Sequence, residues 1–458
     1  MKRNLLAVFV LCGGVMAVAG SHAQSSTAMN FPMDVATLPN GLTVITVEDH
    51  SAPVVSFQVW VRAGSKNERP GITGVSHLFE HMMFKGSKKY GAEEHARLVQ
   101  GNGGTLNAFT TRDITAYYED FSSDKLELAV QLEAERFQNL AITAENLKSE
   151  REVVKEERRL RTDNVPTGKA VEELMATVYK AHPYGWPVVG WMSDLDAITL
   201  QDCKDYFRIN YAPNNVVVVV AGDTTPAEVK KLVTKAFGRW KKQPPSPPVV
   251  TVEPPQQGER RVTLRIPAQS PLIMGGYHIP AAGHADLPVL DVISRILSDG
   301  KSSRLYQRLV YTDQTAVAAA GGVFKQQQPG VFYAYASVKP GEEPRKVEDA
   351  FFAEVERLKN EPLKDEELNK AKNQLESSYV FGLKRVHALA STVAESYIME
   401  GSVDAFKTRV ERWRVVTADD VRRVARAYFS ADNRTVVTLI PESNNATATP
   451  TAPKSGAR

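Results

Sequence analysis

Two histidines and one glutamate stand close together in the sequence, and their types suit metal chemistry. The segment from residue 74 to 84 reads GVSHLFEHMMF, which places His77, Glu80 and His81 in an H-x-x-E-H pattern. On a helix this spacing puts both imidazoles on one face, with the carboxylate beside them. The other positions are mostly apolar, so burying these polar groups unpaired would be costly. A bound metal removes that cost; the alternative is a helix whose histidines are solvated or satisfied in the core.

Two imidazoles need a further partner, because a catalytic zinc ion takes three protein ligands and keeps one position open. The run from residue 145 to 159 reads ENLKSEREVVKEERR and is strongly helical in composition. Glu150 and Glu157 are seven residues apart and share a face with the valines between them, whereas Glu156 points about 100° away. We expect Glu150 and Glu157 to face inward together.

Length and composition bound the kind of protein. A chain of 458 residues predicts two or three domains. Its 43% hydrophobic and 24% charged residues are ordinary for a soluble globular protein. The net charge of +3 gives no indication of a nucleic-acid partner. With only 9 histidines and 2 cysteines, the sequence also argues against a metal-storage protein.

The N-terminus has the pattern of a secretory signal peptide. Lys2 and Arg3 precede an apolar run over residues 5–19, and the small-x-small sequence Ser-His-Ala ends at Ala23. We predict a signal peptide over residues 1–23, cleavage after Ala23 and a periplasmic or secreted protein. The apolar run is short for a membrane span, so no stable span is expected; an uncleaved anchor is the alternative.

Proline content divides the rest of the chain. Residues 241–258 read KKQPPSPPVVTVEPPQQG, and six prolines in that window favour a semi-rigid linker. It separates a predicted N-terminal zinc-binding catalytic domain, residues 24–240, from a C-terminal homologous domain, residues 259–442. Residues 443–458 are rich in Ala, Thr, Pro and Ser and are predicted to be disordered.

The two halves read as copies. Thr199 caps a predicted helix that leads through an Asn-Asn turn into the strand 216–220, and Thr417 begins a similar unit whose turn and strand follow in the same register. Neighbouring strands with short turns, such as residues 42–47 and 54–61, favour antiparallel pairing. The predicted fold class is therefore α+β, with two duplicated domains, each a mostly antiparallel sheet packed with helices, facing each other across the linker.

These features resemble the pitrilysin/insulinase (M16) family of zinc peptidases, in particular the branch with mitochondrial processing peptidase and small bacterial homologues. In that family the H-x-x-E-H helix is completed by a glutamate roughly seventy-odd residues further on, with another essential glutamate seven residues before it. Glu157 follows His81 at such a distance. The resemblance implies Zn2+ held by His77, His81 and Glu157, with Glu80 as general base, Glu150 orienting the site, and peptides as substrates.

A glycine-rich segment extends the resemblance. Residues 103–110 read GGTLNAFT and are similar to the family's GGxxNAxT segment, whose edge strand binds extended peptides through its backbone. The resemblance implies that Asn107 and Ala108 bind substrate. An ordinary glycine turn into a strand is the alternative. Residues 182–185 (HPYG) and 211–214 (YAPN) also look like family segments.

One departure concerns the second half. Catalytic single-chain members carry an arginine and a tyrosine, seven residues apart, that hold the substrate carbonyl. The aligned positions here are Val310 and Val317, while Arg308 and Tyr311 lie nearby with the wrong spacing. Either the alignment slips or a homologous second subunit supplies the Arg/Tyr pair, and we favour the second subunit. A non-catalytic subunit of a heteromeric peptidase is the alternative function, which the intact H-x-x-E-H motif opposes.

Overall fold

The computed structural model describes residues 31–442, so the predicted signal peptide and the predicted disordered tail lie outside the described residues. The first sheet has the strand order β1-β2-β6-β3-β5-β4, in which β2 and β6 are parallel and the other neighbours antiparallel. Its strands are β1 (Met33–Thr37), β2 (Thr43–Glu48), β3 (Val54–Val61), β4 (Thr105–Thr110), β5 (Thr115–Ser122) and β6 (Val216–Gly222).

The second sheet repeats this arrangement with one strand fewer. Its order is β7-β11-β8-β10-β9, and its one parallel pair is β7 with β11. Its strands are β7 (Arg260–Ile266), β8 (Leu272–Ile279), β9 (Ala316–Phe324), β10 (Gly330–Val338) and β11 (Arg434–Pro441).

Helices cover the two sheets. In the first half they are α1 (Val75–Met82), α2 (Glu94–Gly101), α3 (Leu126–Asn139), α4 (Ala144–Arg158), α5 (Pro166–Val178), α6 (Met192–Ala197), α7 (Leu200–Asn210) and α8 (Pro226–Phe237). In the second half they are α9 (Leu287–Leu297), α10 (Pro344–Asn360), α11 (Asp365–Leu383), α12 (Val386–Glu400), α13 (Ala405–Arg414) and α14 (Ala418–Tyr428).

The internal duplication is visible in both topology and numbering. Strand β8 has the same length as β3 and α14 the same length as α7, and both pairs are separated by the same interval along the chain. Thr199 and Thr417 each form a capping box with the aspartate three residues on, as their hydroxyls accept from its backbone N–H. The predicted α+β fold with duplicated halves is confirmed. The expected antiparallel pairing of residues 42–47 with 54–61 is wrong, because β6 lies between β2 and β3.

Each half contributes one helix to the other half's sheet. Helix α5 packs on β8 and β11 of the second sheet, and α12 packs on β3 and β6 of the first. Leu174 and Met175 of α5 are fully buried in one core cluster with Leu272, Met274 and Val437. The halves therefore share their cores. The division of the chain at the linker did not predict this sharing.

The proline-rich segment lies along the surface of this unit. Residues 238–259 contain no helix or strand, in keeping with their composition. Glu253 fixes the segment, because its carboxylate accepts the backbone N–H groups of Lys180, Ala181 and His182 at 2.8–2.9 Å. The boundaries proposed above for the two domains remain predictions. Within residues 31–442, no helix is both long and apolar enough to cross a membrane.

We predict that Leu174→Ala will destabilise the whole protein. Leu174 lies so close to β8 that a Cβ at Gly276 would be 2.9 Å from its Cδ1, so the truncation leaves a cavity between the two halves. The expected loss is about 2–5 kcal/mol in the free energy of unfolding, measured by urea denaturation. Leu160→Ala is the control, because Leu160 is 62% exposed and its truncation should change stability little. Separate unfolding transitions for the two halves would contradict this interlocked packing.

Candidate metal centre

Helix α1 carries the H-x-x-E-H motif and is fixed at its N-terminus. The carboxylate of Glu68 accepts the backbone N–H groups of Gly74 and Ser76, each at 2.8 Å, and so satisfies donors that the helix leaves free. Gly74 has φ +89°, and a Cβ there would lie 2.5 Å from the Val189 carbonyl oxygen, so this position requires glycine. The first turn of α1 is therefore held from two directions.

The apolar residues of α1 decide which face remains for chemistry. Leu78, Phe79 and Met82 are fully buried in the core of the first half. The half-buried His77, Glu80 and His81 consequently share the remaining face, as the spacing predicted.

Helix α4 presents the predicted glutamates to that face. Thr143 caps it by accepting the backbone N–H of Asn146. Glu150 and Val154 are buried against α1, whereas Val153 is 46% exposed. The inward stripe therefore runs from Glu150 through Val154 to Glu157, and it is Val154 that lies between the two glutamates.

Three of these side chains converge on one point. The Nε2 atoms of His77 and His81 lie 3.6 and 3.2 Å from Oε2 of Glu157. Ligands about 2.0–2.1 Å from a tetrahedral zinc ion are separated by roughly 3.3 Å, so this spacing fits the ion. The three donor atoms lie within 4.8 Å of one another. Two imidazoles and one carboxylate are also a donor set of catalytic zinc sites.

Glu150 contacts the site without joining the donor set. Its Oε2 lies 3.6 Å from Nδ1 of His81, on the side of the ring away from Glu157. Its Oε1 accepts from Nζ of Lys85 at 2.9 Å. A carboxylate on the second nitrogen of a ligating imidazole fixes the orientation of the ring.

Two cations that sequence reasoning missed pair with the two glutamates of α4. Lys85 pairs with Glu150, and Arg161 contacts Oε1 of Glu157 at 2.5 Å, leaving Oε2 toward the imidazoles. Lys85 follows His81 by four residues and Arg161 follows Glu157 by four. For Arg161 that i,i+4 spacing was the available signal, although it cannot tell a paired cation from a solvated one. For Lys85 no local signal existed, because its partner Glu150 lies on a helix that is distant in the sequence.

Burial and the neighbouring groups shift the pKa values of the three donors in different directions. Burial and the neighbouring His81 lower the pKa of His77 to about 4. Burial opposes a charge on His81, but hydrogen bonds to Glu150 and Glu157 outweigh it and raise the His81 pKa to about 9. The hydrogen bond from His81 lowers the pKa of Glu157 to about 2, against the effect of burial. Because a histidine binds a metal ion in its neutral form, the raised pKa of His81 makes metal binding favour higher pH.

Glu80 lies beside the donor set and is held separately. The hydroxyl of Thr110 donates to its Oε2 at 2.6 Å. Burial raises the pKa of Glu80, although this hydrogen bond opposes the shift. A carboxylate with a raised pKa next to a metal site suits proton transfer near neutral pH.

Strand β4 forms one wall of the cavity in front of these residues. The cavity measures about 1060 Å3 and contains the donor set, Glu80, Glu150, Asn107 and Ala108. The strand pairs with β5 on one side only and is the last strand of its sheet, so its other edge faces the cavity without a strand partner in residues 31–442. The predicted site residues are thus brought together.

The second half contributes no side chain to the described lining of this cavity. Every residue that lines it lies between His77 and Val189. Arg308 is paired with Asp313, and Tyr311 is 72% exposed outside the cavity. The second half therefore brings no arginine or tyrosine to this cavity in the described residues.

Two homologous α+β domains, the first of which carries such a site, define the class, a peptidase with duplicated domains, and comparison with known proteins gives the family. A profile described as "Insulinase (Peptidase family M16)" matches residues 43–190, and one described as "Peptidase M16 inactive domain" matches residues 197–375. The zinc protease PqqE of Helicobacter pylori is 32% identical over 429 residues, which cover 92% of this chain and 95% of that protein. This chain therefore belongs to peptidase family M16.

Further similarities agree with this assignment. A probable mitochondrial-processing peptidase subunit beta of Arabidopsis thaliana is 26% identical over 412 residues, covering 86% of this chain and 76% of that protein. A crystal structure of a protease from Helicobacter pylori has a TM-score of 0.88 and 31% identity, covering 90% of this chain and all of that one. The predicted family is confirmed, and curated relatives of this chain are named as zinc proteases.

We predict that Glu157→Gln will abolish stoichiometric zinc binding, because it removes one of three donors. Zinc per chain should fall well below one by mass spectrometry of purified protein.

We predict that Lys85→Met will keep the three ligands but weaken the affinity for zinc by about tenfold or more in chelator competition, since Glu150 and His81 lose their fixed orientation. Glu152→Gln on α4 is the control for both variants, because Glu152 is 61% exposed and lies outside the cavity. Unchanged zinc affinity in Glu157→Gln would contradict the donor set.

Proposed function

We propose that this chain is a zinc metalloendopeptidase that hydrolyses extended peptides or unfolded segments inside a two-domain chamber, at a metal cavity that the first domain lines alone. The observation that carries the proposal is the convergence of His77, His81 and Glu157 beside Glu80, at the open edge of β4. Each of these groups has a defined part in metal-assisted hydrolysis, with Glu150 orienting the site through His81.

The proposed chemistry divides between the metal and the chain. Zn2+ bound in such a donor set acts as a Lewis acid that acidifies water and polarises a carbonyl oxygen. Glu80 is the general base that takes the proton of the attacking water and then passes it to the leaving amine. The Thr110 hydroxyl holds the Glu80 carboxylate in place at 2.6 Å, and the raised pKa of Glu80 supports the return of the proton.

The proposed substrate is an extended peptide that adds to β4. An open strand edge offers backbone N–H and C=O groups to such a peptide, and Asn107 and Ala108 are among the β4 residues that line the cavity. A cavity of about 1060 Å3 accommodates a short extended segment and excludes a folded domain. These dimensions support peptides rather than folded proteins as substrates.

We also propose export and a homologous partner. The pattern of residues 1–23 supports a periplasmic or secreted location. Val310 and Val317 stand where family members with a single catalytic chain carry arginine and tyrosine, which supports a second subunit as the source of that pair. A non-catalytic role within such a complex is the competing function, and the complete donor set argues against it.

We predict that Glu80→Gln will keep zinc and lose peptide hydrolysis. The amide preserves the size of the side chain and the contact with Thr110 but cannot accept a proton. Activity should fall by about 10²-fold or more with zinc content unchanged, measured on a quenched fluorescent peptide library. Glu152→Gln again serves as the control, since it makes the same chemical change at an exposed position outside the cavity. Hydrolysis retained in Glu80→Gln would overturn the assignment of the base.

We predict that the isolated chain will cleave peptides slowly and that a homologous subunit will accelerate it. The gain should appear in kcat more than in KM if the partner contacts the reacting carbonyl, because such a contact strengthens in the transition state. Steady-state kinetics of the chain alone, and titrated with a candidate subunit from the same organism, measure this. Full activity of the monomer, with size-exclusion chromatography showing no association, would remove the partner from the proposal.

A further inference from the structure

A second cavity lies next to the cavity of the metal centre. It measures about 540 Å3 and is lined by both halves, from the turn after β4 to the end of β9 and to α12. Three residues line both cavities, namely Thr110, Arg112 and Val188. A peptide lying along β4 thus reaches the second cavity at these residues.

Most charged side chains around the second cavity are paired with each other or with a neighbour. The pairs are Asp291 with Lys325 at 2.8 Å, Glu400 with Arg412 at 3.2 Å, Glu400 with Arg409, and Asp113 with Lys66 at 2.7 Å. Two groups differ, because within residues 31–442 neither Arg112 nor Glu395 has an oppositely charged group within 4.0 Å. Of these two, only Arg112 also reaches the cavity of the metal centre.

The guanidinium of Arg112 is fixed at one nitrogen and free at the others. Its Nε donates to the Tyr184 carbonyl at 3.0 Å, while its terminal nitrogens have no acceptor in the described part of the chain. The backbone around it is held by Thr111, whose hydroxyl accepts the N–H groups of Asp113 and Ile114 at 3.1 Å. Burial lowers the pKa of Arg112, and the neighbouring Tyr179, Asp113 and Tyr184 offset this effect only in part.

A planar guanidinium with free terminal nitrogens matches a carboxylate, which it binds through two parallel hydrogen bonds. Arg112 follows Thr110, the residue that holds Glu80, by two positions. Their Cα atoms are therefore at most about 7.6 Å apart, since consecutive Cα atoms are separated by about 3.8 Å. An anion bound to Arg112 lies within a few peptide residues of the reacting bond.

We propose that Arg112 is a specificity-determining residue that binds a carboxylate of the peptide substrate close to the scissile bond. The carboxylate comes either from an acidic side chain or from the free C-terminus, and both present the same fork of two oxygens. This inference rests on the proposed function, because it takes the peptide to lie on β4. It predicts that acidic peptides bind better than their isosteric amides.

Direct binding tests this without relying on hydrolysis. Fluorescent peptides are titrated into the zinc-loaded Glu80→Gln protein and followed by anisotropy. In one set a single Asp moves through each position of an uncharged, C-terminally amidated sequence, with Asn peptides as partners. In a second set only the C-terminus changes, from free acid to amide. We expect about tenfold or tighter binding for the acid in at least one pair, and the set in which it occurs identifies the source.

The variants decide whether Arg112 is responsible. Adding Arg112→Gln to Glu80→Gln should abolish the difference between acid and amide, whereas Arg112→Lys should keep part of it because the charge remains without the planar fork. Arg97→Gln is the matched control, since it removes the same charge from an exposed position outside both cavities. Thermal melts verify that each variant is folded.

Each remaining outcome has a defined meaning. Equal loss of acid and amide binding in Arg112→Gln would overturn the proposal and give Arg112 a structural role at the Tyr184 carbonyl. No preference in the Glu80→Gln protein, or no peptide binding at all, would also overturn it. An Arg112-dependent preference in a protein whose Glu80 form hydrolyses nothing would support the proposal while the proposed peptidase function failed.

Discussion

The contact between α1 and α4 is the interaction on which the metal centre depends. It brings Glu157 to two imidazoles that lie on a separate, much earlier segment of the chain. Neither helix holds this arrangement alone, because the two histidines lie on α1 and the glutamate on α4. The apolar side of α1 is buried in the core of the first half, and the outer face of α4 is mostly charged. The buried charges of Glu150 and Glu157 are tolerated because each of these two carboxylates has a cation on one oxygen and a histidine on the other.

This contact is also linked to the second half. After α4 the chain makes one π-helical turn over residues 159–163 and enters α5, whose apolar side belongs to the core of the second sheet. The candidate ligand Glu157 is thus separated by only a few residues from a helix that the other half holds in place. Helix α12 makes the reciprocal contact, where Gln58 of β3 donates to the His387 carbonyl at 3.0 Å. Because each half packs a helix on the other half's sheet, both halves determine the position of the candidate ligand Glu157.

Local spacing predicted much of this site, and packing between distant segments decided the rest. The face shared by His77, Glu80 and His81, the inward stripe of α4, and the caps at Thr199 and Thr417 follow from helical geometry, which acts over a few residues. The exchange of α5 and α12 could not be predicted in this way. An amphipathic pattern indicates that one face is buried, and it carries no information on which sheet covers that face. For the same reason Lys85 and Arg161 read as ordinary surface cations.

The duplicated halves share a topology and differ in chemistry. Helix α9 follows β8 as α1 follows β3, yet its sequence LPVLDVISRIL contains no histidine or glutamate. Its single carboxylate, Asp291, pairs with Lys325 and accepts from the Trp413 indole. The same position in the fold therefore carries candidate metal ligands in one half and lines the wall of the neighbouring cavity in the other. A cavity lined only by the first half holds the donor set, while the neighbouring cavity requires both halves. The second half thus contributes shape and charge to the neighbouring cavity, and its described residues contain no group of three possible metal ligands.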